Sequence, residues 1–332
     1  MAEEFVLVRV LNMRAVNLEV FDFDYDLTWA AVLLNADEQV YGRFGGRDIG
    51  SPDKYLTLGG LRHAMQTALT AHRERDRGQQ FAPRPHRTVE AYPAASRLSE
   101  RACIHCHQAY DFHRDQAKAS GTWRVEDVWV YPLPENVGLE MDPEQGNRVA
   151  AVRLGSPAAR AGLQAADVLR RINGSAVASF ADVQYALHRS PAAGTISVTW
   201  HRTKREQTAQ LLLPEGWKRT DITWRPSTWR MKPSPGVEGE DLSPAQKQAL
   251  GLSPRRLAFY QGNFVSVPAR QAGIQRNDII LGIDGKLLEM TERQFGVYVR
   301  LNYKVGDRIV LNVLRQGQRI DVPMTLPERA PF

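Results

Sequence analysis

Two stretches of the chain repeat each other. Ala161-Gly162-Leu163-Gln164-Ala165-Ala166-Asp167-Val168-Leu169-Arg170-Arg171-Ile172-Asn173-Gly174 aligns without a gap on Ala272-Gly273-Ile274-Gln275-Arg276-Asn277-Asp278-Ile279-Ile280-Leu281-Gly282-Ile283-Asp284-Gly285. An ungapped internal match of this kind marks a duplicated domain, so the C-terminal part of the chain must fold as two copies of one module. Gly162 and Gly273 stand where a short helical turn ends in a left-handed residue. Asp167 and Asp278 brace the loop before a strand, and Asn173-Gly174 and Asp284-Gly285 read as tight turns. A helix follows in each copy, over about 179–189 and 291–302, and then alternating strands at 196–200 and 309–313. The copies are bounded as 131–215 and 241–330. Between them, 216–240 carries Trp217, Trp224 and Trp229 among prolines and basic residues, which reads as a packed connector; a flexible tether is richer in Gly and Ser.

The 332 residues leave room for further domains upstream, and 43% apolar with 24% charged residues is an ordinary globular composition. The net charge of +6 is spread along the chain. Its densest stretch (Arg62, Arg73, Arg75, Arg77, Arg84, Arg87) lacks aromatic interleaving or a nucleic-acid motif and reads as a solvated helix face entering a linker. No nucleic acid is expected as a partner. No apolar run is long enough to span a membrane. The acidic opening Met1-Ala2-Glu3-Glu4 and the short apolar run 5–10 do not make a signal peptide.

Both cysteines lie in Cys103-Ile104-His105-Cys106-His107. C-x-x-C-H is the spacing at which two thiols attach haem c, with His107 as axial iron ligand. A helix over about 100–118, capped by Ser99, would put both sulfurs on one face. Met65, Met141, His63, His86 and His113 are candidate sixth ligands. Tyr110, Phe112, Trp123, Trp129 and Tyr131 either wall a porphyrin or form a small core. A redox dithiol, a disulfide, or zinc completed by another segment are the alternatives. Upstream, 76–97 reads as a Pro-containing linker, so that 76–130 forms a linker and C-x-x-C-H segment. In 1–75, a buried strand at 5–10, a hairpin of 27–34 with 39–44, and a helix at 58–75 follow the order of the second half of a thioredoxin fold.

Phe21-Asp22-Phe23-Asp24-Tyr25-Asp26-Leu27-Thr28-Trp29-Ala30, Tyr41-Gly42-Arg43-Phe44-Gly45-Gly46-Arg47-Asp48 and residues 102–111 resemble bacterial thioredoxin-like/PDZ domain-containing (seleno)proteins. The resemblance implies a redox Cys or selenocysteine upstream of this chain, and hence that Met1 is not the natural start. The duplicated module is similar to the PDZ domain of HtrA-type bacterial proteins. PDZ domains bind extended peptides and C-termini by β-augmentation. The resemblance implies a carboxylate loop at Val137, Gly138, Leu139 and Glu140, with Leu250, Gly251 and Leu252 as its counterpart. Groove-lining helix positions would be Val183 and Leu187, then Phe295 and Val299. Occluded grooves, with the modules as spacers, are the alternative. No G-x-S-x-G or H-E-x-x-H occurs and no nucleophile–base pair stands out.

The expected fold class is multidomain α/β plus mainly β: a partial thioredoxin-like domain, a short helical C-x-x-C-H segment and two tandem PDZ domains. The expected function is an exported adaptor bearing haem c for electron transfer or redox sensing, leaning away from enzymatic activity. It would have protein C-termini and an electron-transfer protein as partners. The alternatives are a thiol-disulfide or peroxide redox protein completed upstream, or a PDZ scaffold with a zinc or disulfide staple. Haem attachment places the protein in the periplasm or otherwise outside the cytoplasm, and its absence would allow a cytoplasmic location.

Overall fold

The N-terminal hairpin forms as its pattern predicts. Strands β1 (Ala30–Leu34) and β2 (Val40–Gly45) pair antiparallel, with Ala30 opposite Gly45. Asn35 builds the turn by accepting the amides of Asp37 and Gln39 at 3.0 and 2.9 Å. Helix α1 (Leu58–Glu74) starts at Thr57, whose hydroxyl accepts the Gly60 amide at 3.0 Å. Its Ala64 and Ala68 pack on Leu33 and Phe44. Residues 5–10 depart from the expected strand. Phe5 packs against this small core, but Val6, Leu7 and Val8 are exposed. The reason is the absence of a ladder: among the described residues β1 pairs with β2 alone in a two-stranded sheet, and an unpaired apolar run has nothing to bury against. The computed structural model describes residues 1–75, 85–99 and 101–328. The beginning of the expected linker, 76–84, and Glu100 of the expected helix lie outside the described residues.

A second small core collects Met13, Leu18, Tyr25, Val89, Tyr92, Ile104 and Phe112. Helix α2 (Gln108–Ala119) is shorter than expected and begins after His107, which is its N-cap residue.

The first copy consists of β3 (Leu139–Met141), β4 (Val149–Val152), α3 (Pro157–Arg160), β5 (Val168–Ile172), β6 (Ser175–Ala176), α4 (Phe180–His188), β7 (Gly194–Arg202) and β8 (Arg205–Leu213). Among the described residues strand β3 pairs only with β4, and the second sheet runs β6-β5-β7-β8. Leu139, Met141, Leu169, Val183, Leu187 and Val198 form the core. This copy and the N-terminal hairpin belong to one compact unit, residues 1–220. They are joined by Arg43 of β2, whose amide donates to Asp182 Oδ1 of α4 at 2.9 Å and whose carbonyl accepts the Ser179 hydroxyl. The Arg43 guanidinium lies 3.5 Å from the Tyr185 ring centroid.

That junction predicts a pH effect. Burial lifts the Asp182 carboxyl from 3.8 to about 6, although Arg43 and the amides of Ala178 and Arg43 pull it down. Between those values the folded chain holds more protons than the unfolded one. The contribution is therefore full below about pH 4 and is lost as pH rises through about 6. Relative to Asp182→Asn, the unfolding free energy of the native protein should fall by up to about 3 kcal/mol across that window. Urea melts at stepped pH read this, and a pH-independent difference would contradict it.

The second unit, residues 221–332, contains α5 (Pro226–Trp229), β9 (Gly239–Asp241), α6 (Pro244–Ala249), β10 (Phe259–Gln261), α7 (Val267–Gln271), β11 (Ile279–Ile283), α8 (Glu292–Asn302), β12 (Arg308–Arg315) and β13 (Gln318–Thr325). From β9 onward it repeats the order of the first copy, with α6 inserted between its first two strands and no separate strand matching β6. Its sheet runs β13-β12-β11-β10-β9, which leaves β9 as an edge. One device recurs in both copies. Asp167 accepts two bonds from Arg202, at 2.8 and 2.7 Å, and the Gln164 amide at 2.8 Å. Asp278 accepts two from Arg315, at 2.7 and 2.8 Å, and the Gln275 amide at 2.8 Å.

Candidate functional site

An extended peptide can add to a module of this shape only along a free strand edge facing a helix. In the first copy that place lies between β3 and α4. Val137, Leu139, Val183 and Leu187 are all buried in the module core, and Glu140 is exposed. Tyr55, from the chain's own segment 46–57, already packs into this core. Tyr55, 1% exposed, stacks on Phe180 with ring centroids 3.6 Å apart and planes 11° apart, and joins the core that contains Leu139 and Val183. Lys54 approaches Glu140 at 3.7 Å, and the Thr57 hydroxyl donates to the Pro143 carbonyl at 3.0 Å. A side chain at Gly46 would collide with the Phe180 ring. Burial, and then the charges of Glu135, Asp48 and Glu140, push the Tyr55 hydroxyl up.

The loop before β3 is also poorly suited to a carboxylate. The amides of Asn136 and Gly138 donate within the loop, to the carbonyls of Leu133 and Glu135, both at 3.0 Å. Glu135 lies in it, and burial raises its carboxyl. An open cleft of about 550 Å³ flanks the loop, walled by Asp48, Ile49, Leu133, Glu135, Arg153 and Trp217.

In the second copy the corresponding edge belongs to β9. Asp241 Oδ1 accepts the Glu292 amide at 2.9 Å and so sets the start of α8 beside the end of β9. Phe295 and Val299 are buried in the core with Val237. Counted from the helix N-caps Ser179 and Thr291, they are the counterparts of Val183 and Leu187. One residue after Phe295 stands Gly296, where a Cβ would meet only the Arg300 guanidinium, at 3.0 Å. The first copy has Gln184 there, which donates to the Tyr131 carbonyl at 3.2 Å. Leu250, Gly251 and Leu252 do not lie at the loop before β9. They end α6: Gly251 is left-handed at φ 70°, and the Leu252 amide returns to the Lys247 carbonyl at 2.9 Å. Residues 236–239 carry no signal in the sequence, because the inserted α6 separates them from the repeated stretch.

The C-x-x-C-H stretch takes a different form from the one expected. Residues 101–107 are a turn, not a helix. Ile104, 1% exposed, is the residue that enters the core. Its amide donates to Asn12 Oδ1 at 3.0 Å and its carbonyl accepts the Met13 amide at 2.9 Å. Cys103 and Cys106 are free thiols, the first exposed and the second half-buried, with burial raising the latter. Of the five aromatics, Tyr110 and Phe112 pack in the small core that Ile104 enters, with Cys106 against it; the others are not in this core. Tyr131 stacks on His188 at 4.4 Å, Trp129 donates to the Thr220 carbonyl, and Tyr110 donates to Asp24. Of the candidate sixth ligands, Met141 is in the module core and His63 bonds Asn147 at 3.1 Å. His113 packs beside Tyr25 and Tyr92, where burial lowers it to about 4. Among the described residues no three His, Cys, Asp or Glu side chains converge as a metal-ligand set, which tells against zinc. Ile104→Ala should cost about 2–5 kcal/mol and Cys103→Ala under about 0.5 kcal/mol in urea denaturation. Equal losses would contradict a purely structural role for the turn.

Residues 148–202 match the PDZ domain family model, so the first copy is a PDZ domain. The periplasmic pH-dependent serine endoprotease DegQ of Escherichia coli is 26% identical over 146 residues, 44% of this chain and 30% of that protein. A probable periplasmic DegP-like serine endoprotease of Marinomonas is 23% identical over 226 residues, 64% of this chain and 45% of that protein. The Do-like serine protease HtrA of Lactococcus lactis is 40% identical over 65 residues, 20% of this chain and 16% of that protein. The chain thus spans less than half the length of the curated relatives it matches. These relatives correct four expectations. They are serine proteases, so the resemblance to thioredoxin-like/PDZ (seleno)proteins does not stand. Nor does the haem-bearing or redox adaptor, nor haem c bound by Cys103, Cys106 and His107, nor an electron-transfer partner. The relatives are periplasmic proteins, and haem no longer argues for export. Among the described residues no helix is long and apolar enough to cross a membrane.

Proposed function

We propose that this chain recognises polypeptides for proteolysis of the HtrA type in the periplasm, capturing extended segments or C-termini by strand addition. The reading includes a second PDZ domain in 241–330, extended back to Val237 so that it contains its own loop and edge strand. Residues 131–215 form the first PDZ domain, and the connector, read as 216–240 from the sequence, shortens to 216–236. Residues 236–241 with Glu292, Gly296 and Val299 form the receiving groove. The carrying observation is the second copy itself. It repeats the order of the PDZ domain and its Asp–Arg clamp, and it ends its sheet on an edge strand beside α8. Relatives that are periplasmic serine endoproteases support the setting.

The test is fluorescence anisotropy with a panel of fluorescein-labelled synthetic decapeptides that differ in their last residue and carry a free carboxylate. Some members should bind in the micromolar range. Gly296→Phe adds a ring on α8 beside the Arg300 guanidinium, which must shift to admit it, and should weaken that binding at least tenfold while the chain still melts cooperatively. Absence of binding across the panel, or binding indifferent to Gly296→Phe, would overturn the reading.

A further inference from the structure

We infer that the first PDZ groove has a resident ligand in cis: residues 46–57, anchored by Tyr55, hold it in solution, and the module serves as a socket for the N-terminal hairpin. The inference rests on the peptide-capture reading above and assigns that capture to the second copy alone.

Three observations place the segment along the groove. At one end, Asp48 and Ile49 wall the same open cleft as the loop residues Leu133 and Glu135. In the middle, Tyr55 lies flat on Phe180, the first residue of α4, with Lys54 beside Glu140 of β3. At the other end Thr57 bonds Pro143, just past β3. The segment therefore runs the length of β3. It makes no backbone ladder with that strand, which pairs only with β4 among the described residues; the hold is by side chains. Both flanks are fastened. Arg43 ties β2 to Asp182 and Ser179 of α4, and His63 of α1 bonds Asn147 at 3.1 Å. A segment tethered on both sides competes at an effective concentration on the order of millimolar. If its own affinity is about 10 μM, a free peptide binds this groove about 100-fold more weakly than it would an empty one.

The probe is a fluorescein-labelled synthetic peptide of residues 46–58, used with the full chain carrying Gly296→Phe so that the second groove does not contribute. Tyr55→Ala in that background should raise affinity for the peptide about 100-fold. Equal binding with and without Tyr55→Ala would overturn the inference. If Tyr55→Ala does not fold, hydroxyl-radical footprinting of the native chain decides. Tyr55 should oxidise far more slowly than tyrosine in the free peptide, while Trp229, 64% exposed, oxidises freely. Oxidation of Tyr55 at the free-peptide rate would overturn it. Failure of the decapeptide panel would sink capture by the second copy and leave this footprint unchanged, so the two failures are distinguishable.

Discussion

Tyr55→Ala lowers the unfolding free energy of the first unit by about 3–5 kcal/mol, the range for removing a buried aromatic ring. The ring is 1% exposed and stacked on Phe180, so its loss opens a cavity between β3, α4 and the incoming segment. Its hydroxyl is buried and has no hydrogen-bond partner among the described residues. An orphaned buried hydroxyl costs about 1–3 kcal/mol, so Tyr55→Phe should keep or raise stability where Tyr55→Ala destroys it. Urea denaturation of the three proteins reads both effects. A Tyr55→Phe loss as large as that of Tyr55→Ala would mean that the hydroxyl, not the ring, holds the segment.

Asp278→Ala costs the second unit about 3 kcal/mol, and Asp167→Ala does the same in the first. Each carboxylate is 1% exposed and accepts a two-point bond from one arginine and one from a loop amide. Breaking a buried pair by removing one partner costs about 3–5 kcal/mol. The arginines are about a quarter exposed, which moves the expectation to the lower end of that range. Each arginine also donates to the glycine that ends the preceding short helix, Arg202 to Gly162 at 2.8 Å and Arg315 to Gly273 at 2.6 Å. Arg315→Lys should consequently lose most of the same stability, since an ammonium cannot reproduce the planar fork. A loss under about 1 kcal/mol for either aspartate would leave the clamp without a structural role.

The parts of this architecture that were legible in the sequence are those with local signatures. The repeated stretch specifies its own turn: glycine for a left-handed residue, aspartate before a strand, Asn-Gly or Asp-Gly for the hairpin. The N-terminal hairpin was legible through Asn35, whose side chain builds its own turn. What remained hidden depends on distant partners. Nothing near Asp167 announces Arg202 on β7, and nothing in the polar stretch 46–57 announces that it lies in a groove. The Leu250-Gly251-Leu252 pattern serves a carboxylate loop and a helix cap equally, and here it is the cap. In the C-x-x-C-H stretch, spacing fixes the separation of the sulfurs only on a helix. The chain makes a turn there because Ile104 is drawn into the core beside Met13 and Phe112. The apolar run at 5–10 has strand character, but among the described residues no neighbouring edge takes it up.

The division of labour between the two copies is most directly tested by amide hydrogen exchange of the full chain, with and without a saturating decapeptide from the binding panel. The account predicts slower exchange over 237–241 and 292–302, with 137–141 and 180–188 unchanged. Protection confined to 137–141 and 180–188 would contradict it, placing peptide capture in the first groove and requiring residues 46–57 to leave.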